Sequence, residues 1–117
     1  MSGKPKVLLV EDNADVRRLF AIGLNQRGFE VKLAANGAEA VDRVAAERPD
    51  YIVLDWMMPL MDGREVVERL EGQEAAREID IIVISGQPAP PALPSRVRRW
   101  LTKPLTVDEL VHEMTGR

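Results

Sequence analysis

Cysteine is absent from this 117-residue chain, so disulfides, zinc–thiolate sites and thiol nucleophiles are all excluded. Histidine occurs once, at His112. That rules out a multi-histidine metal site and leaves little room for a Ser-His-Asp enzyme. No strong charge imbalance exists: 16 Lys and Arg face 19 Asp and Glu, a net −3. Without a basic field, no contact with nucleic acid or an anionic membrane is expected. The longest N-terminal apolar run is Val7-Leu8-Leu9-Val10, far too short for a signal sequence or a membrane span. No membrane insertion and a cytoplasmic location are therefore expected.

What remains is the composition of a globular domain, 45% hydrophobic and 30% charged, and the length predicts one domain over residues 1–117. A chain of this size should bury about two thirds of its unfolded surface, with a radius of gyration of about 13 Å. Short apolar runs alternate with amphipathic stretches. Residues 6–10 read as a buried strand, followed by Glu11-Asp12-Asn13. Asp12 or Asn13 can cap a helix through about residue 27, with Val16, Leu19, Phe20 and Leu24 at helical spacing and Gly28 as its stop. Residues 30–33 form a second strand, and Asn36-Gly37 opens a helix with Ala40, Val41 and Val44 inward. Residues 51–54 form a third strand ending at Asp55. A loop with Pro59 and Asp62-Gly63 leads to a helix carrying Val66, Val67 and Leu70. Residues 81–84 form a fourth strand ending at Ser85, and 100–102 a short fifth ending at Lys103-Pro104. Thr106-x-x-Glu109 is a capping box for a last helix with Leu110, Val111 and Met114.

This βαβα alternation, with continuous rather than alternating apolar strands, predicts a parallel sheet with helices on both faces. One segment departs from it. Pro88, Pro90, Pro91 and Pro94 stand where a crossover helix is expected. Proline costs about 3 kcal/mol inside a helix, so at most a single turn near Pro94-Ser95 is expected. The Pro88/Pro91 and Pro91/Pro94 spacing also fits a PxxP ligand, but a stiff loop is the simpler reading.

Ligands of open parallel sheets bind outside the carboxyl ends of the strands. There the chain places Glu11-Asp12, Asp55, Ser85 and Lys103. Three close carboxylates repel, and a hard divalent cation such as Mg²⁺ resolves the repulsion while leaving room for a phosphoryl group. A carboxylate is a competent nucleophile toward phosphorus, Lys103 can pair with Asp55 or a phosphoryl oxygen, and Ser85 can donate to the same oxygen.

Four pieces, in this order, resemble the receiver domain of bacterial two-component response regulators over essentially the whole chain. They are Val7–Asp12 (VLLVED), residues 54–63 (LDWMMPLMDG), Ile84-Ser85-Gly86 and Leu101-Thr102-Lys103-Pro104-Leu105. The resemblance implies a flavodoxin-like, doubly wound five-stranded sheet of order 2-1-3-4-5, here with the fourth helix short or absent. It implies that Asp55 accepts a phosphoryl group from the phosphohistidine of a histidine kinase or histidine phosphotransferase. Asp12 would bind Mg²⁺ directly, Glu11 through water, and Asp55 and the Met57 backbone carbonyl would complete the protein ligands, with Mn²⁺ as a substitute. Ser85 and Lys103 would contact the phosphoryl group, and Ser85 would move on activation. Trp100 stands at the usual aromatic switch position, Gly86 leaves access open, and Lys103-Pro104 is expected to be a cis peptide.

The expected function is a phosphoacceptor switch that signals to an unknown downstream protein. It would catalyse only its own phosphorylation and autodephosphorylation. No effector domain is expected after Arg117, so the chain reads as a free-standing receiver, a phosphorelay shuttle or sink, or a piece of a larger regulator. Departures from the family cluster in one place. The stretch between Ser85 and Lys103 is about one helical turn short, and Arg96-Val97-Arg98-Arg99 replaces a Gly-Ala pair. This remodels the family's output face and keeps a second reading open: a receiver-fold adaptor that does not switch in the usual way. Trp56, after the acceptor, is bulkier than is common there.

Blander readings stand beside these. Glu11-Asp12 alone would be a helix N-terminus, Trp100 core packing, Met57, Met58 and Met61 filler, His112 an exposed helix residue, and Arg96, Arg98 and Arg99 a solvated edge. A haloacid-dehalogenase-type phosphatase would need an acid two residues after Asp55, where Met57 stands. An FMN carrier would need a phosphate-cradling loop where Glu11-Asp12 repel phosphate.

Overall fold

The apolar strand runs are continuous because both faces of the sheet are covered. The computed structural model describes residues 3–58 and 61–116. In it β1 (Lys6–Val10), β2 (Glu30–Ala34), β3 (Tyr51–Asp55), β4 (Asp80–Ser85) and β5 (Val97–Thr102) pair in parallel in the order β2-β1-β3-β4-β5. The four helices are α1 (Ala14–Gln26), α2 (Gly37–Ala46), α3 (Gly63–Glu71) and α4 (Val107–Thr115), with a 3-10 helix at Glu74–Glu78. Pro59 and Leu60, part of the 54–63 motif, lie outside the described residues.

Successive strand residues point to opposite faces, which splits the core in two. Val7, Leu9, Val53, Ile82 and Ile84 pack with Leu24 of α1 and with Leu110 and Met114 of α4. Leu8, Val10, Ile52, Leu54, Ile81 and Val83 pack with Ala40 and Val44 of α2 and Val66, Val67 and Leu70 of α3. The radius of gyration is 13.0 Å, as chain length predicts. Among the described residues no helix is long and apolar enough to cross a membrane.

Local chemistry sets the helix ends. Asn13, not Asp12, caps α1, its side chain accepting from the amides of Asp15 and Val16. Gly28, just past α1, takes φ +91°, a conformation that costs glycine nothing. The Thr106–Glu109 capping box forms as expected. On α1, however, Val16 and Leu19 face solvent, while Leu24 is buried and Phe20 half-buried. The apolar stripe of α1 is wider than the arc that meets the sheet.

The segment 86–96 contains no helix. Right-handed crossovers would place a β4–β5 helix on the α3 face, so the sheet there needs another cover. Two tryptophans supply it. Trp56 is buried, Trp100 packs against the same cluster, and their rings lie 5.1 Å apart at 55°. Ala76 and Ile79, in and just after the unexpected 3-10 helix, add to this cluster. Near Pro94-Ser95 the chain makes a tight turn rather than a turn of helix, with the Val97 amide donating to the Pro94 carbonyl at 3.1 Å. Arg96 takes φ +74° in it, and its guanidinium donates to the Ala76 carbonyl.

β5 begins at Val97 rather than at Trp100. Its arginines hid the strand from sequence patterning because β5 is an edge, where charge is favoured. Val97 is buried while Arg98 pairs with Asp80 at 3.3 Å and Arg99 donates to the Glu113 carbonyl at 2.9 Å.

Candidate functional site

β1 and β3 are neighbours in the sheet, with Val10 beside Leu54, so the residues that follow emerge together at the carboxyl rim. Glu11 and Asp55 are buried and Asp12 is exposed, and one carboxylate oxygen from each lies within 4.8 Å of the others. From β5, the Lys103 ammonium stands 3.5 Å from Asp55 Oδ2. The other Asp55 oxygen, Oδ1, accepts from the Met57 amide at 3.2 Å. The structure therefore brings Glu11, Asp12, Asp55 and Lys103 into one cluster, with the Met57 backbone beside it and the Met57 side chain exposed.

Ser85 lies one residue beyond Ile84, the register partner of Asp55. It is fully buried, and its hydroxyl oxygen accepts from the Gln87 amide at 3.1 Å. The Lys103 amide donates to the Ser85 carbonyl at 2.8 Å, which ties the lysine's strand end to the serine's. A Cβ on Gly86 would meet nothing within 4 Å, so the approach beside Ser85 is open. The Lys103-Pro104 peptide is cis.

Trp100 is held at both ends. Its ring leans on Trp56, and its indole N–H donates to the Gln87 carbonyl at 2.9 Å. Gln87 thus joins Ser85 to Trp100 through its own backbone, a link that side-chain motifs could not reveal. Trp56 is fixed between Gly63, whose amide donates to the Trp56 carbonyl at 2.9 Å, and the Arg64 guanidinium, 5.8 Å from its ring centroid. His112 is exposed on α4.

Burial raises the Glu11 carboxyl to about 7, with the Asp55 charge and the Asp12 contact acting in the same direction. The Asn13 amide, 3.1 Å from Glu11 Oε2, and the Lys103 charge oppose this. A carboxyl pushed up by burial and by two acidic neighbours marks a donor set short of positive charge. The cluster fits Mg²⁺: hard oxygen ligands, few protein carboxylates, and an open side for water or phosphate. A cavity of about 400 Å³ adjoins it, lined by Val16, Phe20, Pro104 and Leu105 as well as Glu11, Asp55 and Lys103.

A doubly wound α/β sheet binds its ligands outside the carboxyl ends of its strands, and here that rim carries three carboxylates and a lysine. Residues 7–115 match the response regulator receiver domain, and the chain belongs to that family. It is 34% identical over 113 residues to response regulator MprA of Mycobacterium tuberculosis, a match covering 93% of this chain and 48% of the relative. The Mycobacterium avium MprA matches at the same identity, over 49% of its length. The chain thus spans about half the length of the curated relatives it matches. Among solved structures, the chemotaxis protein CheY4 of Vibrio cholerae superposes with a TM-score of 0.86 at 28% identity, covering 97% of this chain and 98% of that one. The receiver domain of sensor histidine kinase PA1611 from Pseudomonas aeruginosa superposes with a TM-score of 0.84 at 27% identity, covering 97% of each chain. That structure has a magnesium ion coordinated in its active site cleft.

Proposed function

We propose that this chain is a phosphoacceptor switch in which Asp55 takes a phosphoryl group from a phosphohistidine on a histidine kinase or histidine phosphotransferase. The observation that carries the reading is the convergence of buried Asp55 with Glu11, Asp12 and Lys103. A carboxylate oxygen of Asp55 attacks phosphorus. The P–N bond breaks, its electron pair stays on the imidazole nitrogen, and an acyl phosphate forms on Asp55. Lys103, already beside Oδ2, offsets the charge of the transferring group, and the Ser85 hydroxyl donates to one of its oxygens. Glu11, Asp12, Asp55 and the Met57 carbonyl would hold Mg²⁺, which when bound neutralises phosphoryl oxygens; Mn²⁺ is expected to substitute. Water hydrolyses the acyl phosphate and resets the switch, so the chain catalyses only its own modification.

A protein donor suits the surroundings. Met57 is 60% exposed beside Asp55, and Leu19 and Ile22 are 65% and 50% exposed on the helix that begins at the acidic pair. Large apolar side chains left exposed on α1 and beside Asp55 suit contact with a protein. Membership of the receiver family supports action in the cytoplasm on a downstream protein.

The helix-free β4–β5 segment favours a second reading, in which the chain binds Mg²⁺ but acts as an adaptor with fixed surfaces. Trp56 fluorescence separates the two. The switch requires a change on adding Mg²⁺ and a further change with beryllofluoride, lost in Asp55→Asn. Mg²⁺ binding with no beryllofluoride response at Trp56 or elsewhere would select the adaptor.

A further inference from the structure

We propose that Arg17 is a positioning residue for the metal ligands, acting on the backbone of the acidic pair rather than through its charge; this rests on the Mg²⁺ reading of the site. Arg17 lies in the second turn of α1, half-buried. Its guanidinium donates to the Glu11 carbonyl at 2.7 Å and reaches the Asp12 carbonyl at 3.5 Å. Those two peptides carry the carboxylates that would meet the cation.

The rest of the turn shows why such a clamp is needed. β1 ends at Val10, so sheet pairing no longer orders the chain beyond the Glu11 amide, which donates to the Ala34 carbonyl at 3.1 Å. The Glu11 carboxylate is oriented by the Asn13 amide, and Asn13 is itself engaged as the cap of α1. Asp12, the exposed ligand, touches Glu11 through its side chain, and its carbonyl is the group that Arg17 reaches. A single guanidinium nitrogen of Arg17, Nη1, supplies the clamp on both carbonyls, in the way outer partners orient metal ligands elsewhere.

Positioning and charge make opposite predictions. A cation placed near a cation site weakens binding, so if charge dominated, removing it would tighten Mg²⁺. If Arg17 positions the ligands, Arg17→Ala and Arg17→Gln weaken Mg²⁺ binding about tenfold. Mg²⁺ demands near-ideal octahedral geometry at about 2.0–2.1 Å, whereas Ca²⁺ tolerates looser arrangements. Ca²⁺ affinity should therefore fall much less than Mg²⁺ affinity, and Arg17→Lys, which keeps the charge and a donor, should fall between.

The experiment is a titration of the full chain with Mg²⁺ and with Ca²⁺, followed by tryptophan fluorescence and calorimetry, with thermal midpoints in chelator to check the fold. Weaker Mg²⁺ binding, a lowered Mg²⁺/Ca²⁺ preference and partial recovery in Arg17→Lys support the proposal. Unchanged or tighter Mg²⁺ binding in folded Arg17→Gln overturns it and leaves the metal site intact. Failure of wild type to bind Mg²⁺ removes the metal reading and this inference with it.

Discussion

Replacing Glu11 with glutamine should stabilise the metal-free protein, and more so as pH rises. Glu11 has an ordinary carboxyl value of 4.5 in the unfolded chain and about 7 in the fold. At low pH both states carry the proton and no penalty exists. As pH rises from 4.5 toward 7 the unfolded chain ionises first, so the folded state binds more protons and stability falls. At 1.36 kcal/mol per unit, the penalty is at most about 1 kcal/mol near pH 5 and at most about 3 kcal/mol near pH 8, because water at the rim screens part of it. Glu11→Gln removes this slope, while weakening the Asn13 amide contact at all pH values. The measurement is urea unfolding in chelator for both proteins near the two pH values. The gap between mutant and wild type should move in the mutant's favour by up to about 2 kcal/mol from the lower pH to the higher. A gap that stays constant would refute the claim that a buried, crowded carboxyl sits at this position. Saturating Mg²⁺ should reverse the order near pH 8, because the cation stabilises the ionised wild type.

Three further predictions concern the groups around Asp55. A Cβ on Gly63 would stand 2.5 Å from Trp56 Cε3 and 3.0 Å from its Cα. Gly63→Ala should therefore cost about 1–3 kcal/mol and shift tryptophan emission, seen in thermal melts and spectra. Trp100→Phe removes the indole donor to Gln87 and should cost about 1 kcal/mol. If Trp100 also carries the switch, the beryllofluoride response of the 86–96 segment, followed by hydrogen exchange, should fall with it. Lys103→Ala should leave Mg²⁺ binding largely intact but uncouple beryllofluoride from distal change; loss of Mg²⁺ binding would reassign Lys103 to holding the metal site together.

The parts of the fold legible in the sequence are those where one local signal had one outcome. The Val/Ile/Leu runs ending at Glu11, Asp55 and Ser85 are buried on both faces and could only be central parallel strands. Strand order came with the family resemblance, whereas the convergence of Glu11, Asp12, Asp55 and Lys103 on one cleft follows from their places at the carboxyl ends of parallel strands. The prolines correctly signalled that no helix runs through 86–96. What replaces it was not legible, because the Trp56–Trp100 contact joins residues far apart in sequence. Apolar patterning makes β5 too short because Arg98 and Arg99 obey edge-strand rules rather than burial. Val16 and Leu19 were read as one stripe with Phe20 and Leu24, although periodicity cannot say how much of a stripe meets the sheet. The clamps at Glu11 and Ser85 pass through backbone carbonyls and amides, which side-chain patterns do not report.

Phosphotransfer offers the most direct test of a phosphoacceptor at Asp55. The full chain would be incubated with phosphorylated histidine kinases or phosphotransferases, with Mg²⁺ or with chelator, and peptides spanning Asp55 weighed by mass spectrometry. An acyl phosphate on Asp55 that requires Mg²⁺ and is missing from Asp55→Asn is the predicted result. A phosphoryl group found on another residue, or one that persists in Asp55→Asn, would contradict it.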